Sequence, residues 1–103
     1  MQHRINAQAA CQLLQAGQLK VVDIRDQHSF NSGRIRSAQH LDNSNLAEFI
    51  QSTPKDQAIL VCCYSGIASQ NAASFLLEQG FTEVYSLDGG FDFWRSCHPE
   101  ECE

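Results

Sequence analysis

The apolar positions of this chain alternate between helical and extended spacing. Apolar residues three or four positions apart predict helices over about residues 7–16, 46–50 and 69–79, a short terminal helix through Phe91 and Trp94, and a single helical turn near Phe30. Continuous or β-branched apolar runs predict strands over residues 19–24, 38–41, 58–62 and 83–87. Strands that alternate with helices in this order predict an α/β domain with a mainly parallel sheet.

Length and composition limit the chain to a single globular unit. A chain of 103 residues holds one hydrophobic core but not two. Hydrophobic residues make up 43% and charged residues 18%, and both are spread along the chain, which is typical of an ordered protein. We expect one domain over residues 1–103, with its core at about 5–96 and a frayed C-terminal tail at 97–103.

The net charge and the cysteine content indicate which binding partners and which cellular compartment to expect. The formal net charge of −5 disfavours binding to nucleic acid or to anionic membranes. No apolar run approaches the roughly 20 residues that a membrane span needs, and no apolar signal region follows the first residues. Five cysteines at irregular positions disfavour a secreted disulfide scaffold. We therefore expect a soluble, cytoplasmic protein.

Three polar motifs fall where predicted strands end. In a parallel sheet the ligand crevice lies beyond the carboxyl ends of the strands, so these motifs are expected to lie close together. They are Asp23-Ile24-Arg25, the segment from Cys63 to Ser69, and Asp88-Gly89-Gly90.

Cys63 is the candidate nucleophile. The residues that follow it, Tyr64, Ser65, Gly66, Ile67, Ala68 and Ser69, join the most apolar strand to a helix, where backbone N–H groups lack partners. If the turn curls around the sulfur, Gly66 gives it the freedom to close and the amides bind a thiolate. A helix dipole contributes only about 0.3–1 kcal/mol. Several amide hydrogen bonds, each worth about 1.5–3 kcal/mol, are therefore needed.

The other cysteines have simpler interpretations. Cys62 continues the strand and Cys11 lies on an apolar helix face, so both are expected to be small buried hydrophobes. Cys97, His98 and Cys102 have irregular spacing and no fourth ligand, so no metal site is expected.

Taken together, the motifs resemble the rhodanese domain family. The resemblance runs from about Ile5 to Trp94 and rests on Val22-Asp23-Ile24-Arg25-Asp26 with Ser29-Phe30, on Cys63-Tyr64-x-Gly66-x-x-Ser69, and on Asp88-Gly89-Gly90-Phe91-x-x-Trp94. It implies a five-stranded, mainly parallel sheet flanked by helices on both faces. Gly89 and Gly90 are expected to form a turn that packs near the cysteine loop.

The resemblance also implies a thiosulfate sulfurtransferase that needs no metal or organic cofactor. The Cys63 thiolate would take the outer sulfur of thiosulfate, release sulfite, and pass the sulfur from a persulfide to cyanide or to a dithiol protein such as thioredoxin. Residues 64–69 would bind the transferred sulfur. Ser69 would donate its hydroxyl to that sulfur, cap the helix, or do both.

The arginines expected near the site would either bind the anionic sulfur donor or stabilise the fold around the site. Arg25 would either bind the donor or brace the site through a carboxylate such as Asp23. Arg34 and Arg36 stand where the family often has His-Ile-Pro, and the loop itself lacks a basic residue. We expect the charge of Arg34 and Arg36 to attract the donor in its place.

Two alternatives remain at this stage. A phosphatase of the Cys-x5-Arg type also holds a cysteine in an amide loop, but it needs arginine where this chain has Ser69. A non-catalytic binding or regulatory module, or a relay of sulfur between proteins, would use the same fold. Such modules commonly lack the cysteine that this chain has.

Overall fold

The computed structural model describes residues 3–103 and contains a five-stranded sheet. The strands are β1 (Arg4–Ile5), β2 (Leu19–Asp23), β3 (Gln39–His40), β4 (Ala58–Cys62) and β5 (Val84–Leu87). The helices are α1 (Ala7–Gln15), α2 (Gln27–Ser32), α3 (Leu46–Ser52), α4 (Ala68–Glu78) and α5 (Gly90–Cys97), followed by a 3-10 helix at Pro99–Glu101. The strand order is β1-β5-β4-β2-β3, and every neighbouring pair is parallel.

Alternating side chains of the central strands form two separate cores. Val21, Leu60 and Leu87 pack with residues of α1 and α5 on one face. Val22, Val61 and Val84 pack with residues of α3 and α4 on the other face. Because successive strand residues point to opposite faces, strands that are apolar throughout can supply both cores. The predicted α/β fold, with a parallel sheet flanked by helices, is confirmed.

The edge strand β1 has no counterpart in the sequence prediction. It has two residues, and it pairs with β5 through Arg4 and Ser86 and through Ile5 and Leu87. Two residues are too few to show a period, and their partners lie about 80 positions away in sequence. Only the folded chain brings the two segments together.

The C-terminal segment is packed against the domain, so the expectation of a frayed tail is wrong. Cys102 forms an antiparallel bridge with Ile35, and Arg36 Nε lies 2.7 Å from Glu101 Oε1. Gln15 of α1 also donates to Glu101, at 3.1 Å. These contacts join residues distant in sequence, so local composition did not reveal them.

Among the described helices, none is both long enough and apolar enough to span a bilayer.

The Glu101 contacts predict a pH-dependent contribution to stability. The hydrogen bond from Arg36 lowers the pKa of Glu101 below its usual value, and the weaker effect of the bond from Gln15 adds to it. A lowered folded-state pKa stabilises the fold above the unfolded value, about 4.3, and this contribution is lost as the pH falls through the folded-state pKa. Glu101→Gln should therefore lower the Tm at neutral pH, with a difference from wild type that shrinks toward about pH 3.

Glu100→Gln is the control for this prediction, because Glu100 is exposed in the same 3-10 helix. Thermal unfolding followed by circular dichroism checks both variants. A Glu101→Gln protein with the wild-type Tm at neutral pH would contradict the structural role of this carboxylate.

Candidate active site

Cys63 lies directly after β4, which is the middle strand of the sheet, and its sulfur is surrounded by hydrogen-bond donors. The amides of Gly66 and Ser69 donate to Cys63 Sγ at 3.2 and 3.3 Å. Ser69 Oγ lies 3.2 Å from the same sulfur. The residue is 3% exposed, so the sulfur depends on protein donors rather than on bulk water.

These donors change the acidity of the thiol. Burial by itself would raise the pKa of Cys63, since it disfavours the charged form. Hydrogen bonds from the Ser69 hydroxyl and from the amides of Ser69, Gly66 and Ser65 outweigh that effect, and they hold the pKa below the usual value of a cysteine. The expected loop of donors around the sulfur is thus present, and it uses dipoles rather than a cationic side chain.

The N-terminus of α5 orients the first two amides of the loop, those of Tyr64 and Ser65. Phe91 N donates to Cys63 O at 2.8 Å, and Asp92 N donates to Tyr64 O at 3.0 Å. In a trans peptide the carbonyl and the following N–H point in opposite directions, so carbonyls turned toward α5 leave the N–H groups of Tyr64 and Ser65 turned away from it. The same contacts satisfy backbone groups at the start of α5 that would otherwise lack partners.

Gly66 and Gly90 are required by close backbone packing. A Cβ on Gly90, where φ is +59°, would lie 2.5 Å from Tyr64 C and O. A Cβ on Gly66, where φ is +91°, would lie 2.8 Å from Gly89 N. The glycine turn therefore packs directly against the cysteine loop, as expected from the sequence.

Ser69 occupies a different position from the one that a helix cap needs. The N-cap position of α4 is Ile67, and the helix starts at Ala68, so the capping alternative for Ser69 is wrong. Its hydroxyl lies between Cys63 Sγ and the hydroxyl of Ser86, 2.6 Å away. Ser86 is on β5 and was not among the predicted site residues, because nothing in its local sequence distinguishes it from other strand serines.

The rim of the site is more exposed than the sulfur. The side chains of Ser65 and Ala68 are exposed, and those of Tyr64 and Ile67 are 44% and 73% exposed. The Tyr64 hydroxyl donates to Asp26, which caps α2, and this bond is the main reason that the pKa of Asp26 lies well below its usual range. The hydrogen bond connects the loop to the turn after β2.

Arg25 makes the contacts of a bracing residue. It is buried, and its guanidinium donates to Asp23 at 2.8–3.1 Å and to Gly33 O at 2.7 Å. The guanidinium also lies 4.4 Å from the centre of the Phe91 ring. Burial alone would lower the pKa of Arg25, but the hydrogen bonds and charge of Asp23 raise it. The guanidinium is thus held between β2, α2 and α5.

Arg34 and Arg36 contact the C-terminal segment. Arg34 Nε lies 3.5 Å from Glu103 Oε1, and Arg36 is paired with Glu101. Within residues 3–103, no hydrogen bond or ion pair joins either guanidinium to the loop from Cys63 to Ser69. A role for Arg34 in donor binding stays a prediction.

The remaining cysteines lie away from this chemistry. Burial raises the pKa of Cys62 well above its usual value and also raises that of Cys11. Cys97 is exposed, and all five cysteines are free thiols. Across the described residues no group of three or more potential ligands is placed to hold a metal ion.

Comparison with known proteins identifies the family. A model of the rhodanese-like domain matches residues 6–97. The chain is 53% identical over 81 residues to thiosulfate sulfurtransferase GlpE of Pseudomonas fluorescens, covering 79% of this chain and 74% of the relative. It is 48% identical over 100 residues to the protein of that name from Stutzerimonas stutzeri, covering 97% and 91%. The chain belongs to the rhodanese-like domain family.

A solved structure agrees with this assignment. The rhodanese-like domain of the Alr3790 protein from Anabaena superimposes with a TM-score of 0.81 at 25% identity, covering 94% of this chain and 76% of that one. Together, the family match and the relatives confirm the predicted family and the prediction that the chain is a rhodanese enzyme.

Ser69→Ala should raise the pKa of Cys63, because it removes the hydroxyl that donates to the sulfur when the sulfur is a thiolate. A hydrogen bond to a charged acceptor is worth about 1.5–3 kcal/mol, which corresponds to a rise of about one to two pKa units. The measurement is the rate of iodoacetamide alkylation of Cys63 against pH, followed by peptide mass spectrometry. An unchanged pKa would show that the amides alone hold the thiolate.

Gly90→Ala should destabilise the fold much more than Gly17→Ala. Both residues have positive φ, which costs a side-chain-bearing residue about 1–2 kcal/mol. A Cβ on Gly17 meets nothing within 4 Å, whereas one on Gly90 collides with the backbone of Tyr64. Urea unfolding measures the two free energies, and equal losses would contradict the packing described here.

Proposed function

We propose that this chain moves sulfane sulfur from thiosulfate, or from a related small anionic donor, to a thiophilic acceptor through a persulfide on Cys63. The observation that carries the proposal is the convergence of the Ser69 hydroxyl and the Gly66 and Ser69 amides on one sulfur atom. Relatives at about half identity that are named thiosulfate sulfurtransferase support the choice of donor.

In the proposed first step, the Cys63 thiolate attacks the outer sulfur of thiosulfate. A bond forms between Cys63 Sγ and that sulfur while the S–S bond of thiosulfate breaks. Sulfite leaves with the electron pair of the broken bond, so the reaction needs no external oxidant or reductant. The lowered pKa of Cys63 increases the fraction of the attacking group that is present as thiolate.

The loop that binds the thiolate is also suited to the persulfide. A persulfide anion spreads its charge over two sulfur atoms, and amide donors can serve either one without moving a counter-ion. We assign this role to the backbone from Tyr64 to Ser69, with the side chains of Ser65, Ile67 and Ala68 forming the open rim. The carried group is sulfur itself, so the proposed cycle requires no cofactor.

In the second step, an acceptor nucleophile attacks the outer sulfur and Cys63 leaves as a thiolate. Cyanide would become thiocyanate in this step. A dithiol protein such as thioredoxin would first take the sulfur as its own persulfide, and its second thiol would then release sulfide and form a disulfide. The exposed side chains of Tyr64 and Ile67 surround the approach for such a partner. Free thiols at all five cysteines suit a reducing compartment such as the cytoplasm.

The two arginines have different proposed parts. Arg25 braces the β2 end and the start of α5 through Asp23, Gly33 and Phe91, so its contribution to donor binding is indirect. Arg34 is partly exposed, and its charge would act on the anionic donor at long range.

Sulfur loading tests the proposal directly. Incubating the reduced protein with thiosulfate should add about 32 Da, the mass of one sulfur atom, to the wild-type chain. The gain should be absent in Cys63→Ser and present in Cys62→Ser, because Cys62 is buried with a raised pKa. Intact-mass spectrometry measures all three proteins, and a reducing wash should remove the added mass.

The outcome distinguishes the competing functions. A wild-type mass that stays unchanged with thiosulfate and with mercaptopyruvate would contradict the proposed activity. Loading only from a persulfidated protein would instead identify a relay between protein partners.

A further inference from the structure

Ser86 places a hydroxyl on a part of the sheet that is otherwise apolar. It is 1% exposed, it lies on β5, and it is in register with Val61 of β4. Val61 and Val84 belong to the core beneath α4. A buried hydroxyl is unfavourable unless it is hydrogen-bonded, so we expect Ser86 to have a hydrogen-bond partner.

The hydroxyl of Ser86 has its partner in the active site. Ser86 Oγ lies 2.6 Å from Ser69 Oγ, which in turn lies 3.2 Å from Cys63 Sγ. Within residues 3–103, the contact with Ser69 is the one hydrogen bond that the Ser86 hydroxyl makes. Three side chains from β5, α4 and the end of β4 therefore form a chain of hydrogen bonds that ends at the sulfur.

Counting hydrogens fixes the direction of this chain. A thiolate accepts hydrogen bonds and donates none, whereas each serine hydroxyl donates one hydrogen. When Cys63 is ionised, Ser69 must donate to the sulfur and Ser86 must donate to Ser69, so every hydrogen has an acceptor. When Cys63 is a neutral thiol and donates to Ser69, Ser69 donates to Ser86, and the hydrogen of Ser86 has no acceptor among the described residues. The thiolate state of Cys63 therefore leaves no hydroxyl hydrogen of this hydrogen-bond series without an acceptor, whereas the neutral state leaves one.

We propose that Ser86 is a positioning residue that acts through Ser69 and directs the Ser69 hydrogen toward Cys63 Sγ. The inference rests on the proposed function in taking Cys63 as the group that accepts sulfur. It adds a specific role for a β5 residue that touches neither the donor nor the acceptor. The buried hydroxyl acts as an orienting group for the thiolate and, once sulfur is bound, for the persulfide.

The ionisable groups around the loop are engaged elsewhere and do not duplicate this effect. Asp26 accepts from Tyr64, and Asp88 at the end of β5 is paired with Arg4. Arg25 is paired with Asp23, as described above. Cys62 belongs to the opposite core, with Leu60. On α5, Asp92 contributes its amide to Tyr64 O and has an exposed side chain.

Ser86→Ala should raise the pKa of Cys63 by a modest amount. The hydrogen bond from Ser86 strengthens the one from Ser69 to the sulfur. Its loss should raise the pKa of Cys63 by about half a unit, which lowers the thiolate fraction about threefold at a pH below the pKa. Ser86→Thr keeps a hydroxyl at this position and should restore most of the wild-type pKa. Ser96→Ala is the matched control, because Ser96 is exposed on α5 and bonds to Phe93 O.

The decisive measurement is a double-variant comparison. The pH dependence of iodoacetamide alkylation at Cys63, read by peptide mass spectrometry, is measured for Ser86→Ala in the wild-type and in the Ser69→Ala background. If Ser86 acts through Ser69, the shift appears in the first background and vanishes in the second. No shift with Ser69 present, or an equal shift in both backgrounds, would overturn the proposal. Circular dichroism verifies that each variant is folded.

Alkylation separates this inference from the proposed function, because it uses no sulfur donor. A wild-type protein that fails to gain sulfur from thiosulfate contradicts the proposed function, whatever the alkylation shows. A Cys63 pKa that is insensitive to Ser86 contradicts only the inference.

Discussion

Neutral donors converge on the sulfur of Cys63 and lower its pKa, and this interaction depends on the rest of the domain. No lysine or arginine occurs between Cys63 and Ser69, so the groups that favour the thiolate are backbone amides and one hydroxyl. Such donors act only when they point at the sulfur. The first amides of α5 bind the carbonyls of Cys63 and Tyr64 and so orient the amides of Tyr64 and Ser65, and Gly90 allows the two backbones to touch.

The parallel sheet explains why these parts meet at one place. β4 lies between β2 and β5, so its carboxyl end is flanked by the turn that carries Arg25 and by the turn that carries Gly89 and Gly90. Each neighbour contributes a different support. The β2 side holds Tyr64 through Asp26, and the β5 side supplies Ser86 beneath Ser69. A frame of this kind suits the proposed cycle, in which the loop would bind a thiolate and a persulfide in turn.

Prediction from the sequence succeeded where local pattern and local chemistry coincide. The apolar run of β4, the glycine of the loop and the helical spacing of α4 placed Cys63 at the end of a strand and at the start of a loop whose amides point at its sulfur. It failed for β1, for the packed C-terminal segment and for the capping role of Ser69. In the first two cases the deciding contact joins residues far apart in the chain, and in the third the helix begins one residue earlier than Ser69, with Ile67 at the N-cap.

The sequence by itself determined the fold class, the family and the position of Cys63 directly after a strand, because periodicity, strand ends and motif spacing are properties of neighbouring residues. Only the tertiary structure decided that the Ser86 hydroxyl is hydrogen-bonded to Ser69 and that Arg25 forms an ion pair with Asp23. It also decided that Arg34 and Arg36 form ion pairs with the C-terminal segment. Those assignments depend on strand register and helix docking, which bring distant residues within hydrogen-bond distance and are not encoded in any single stretch of the chain.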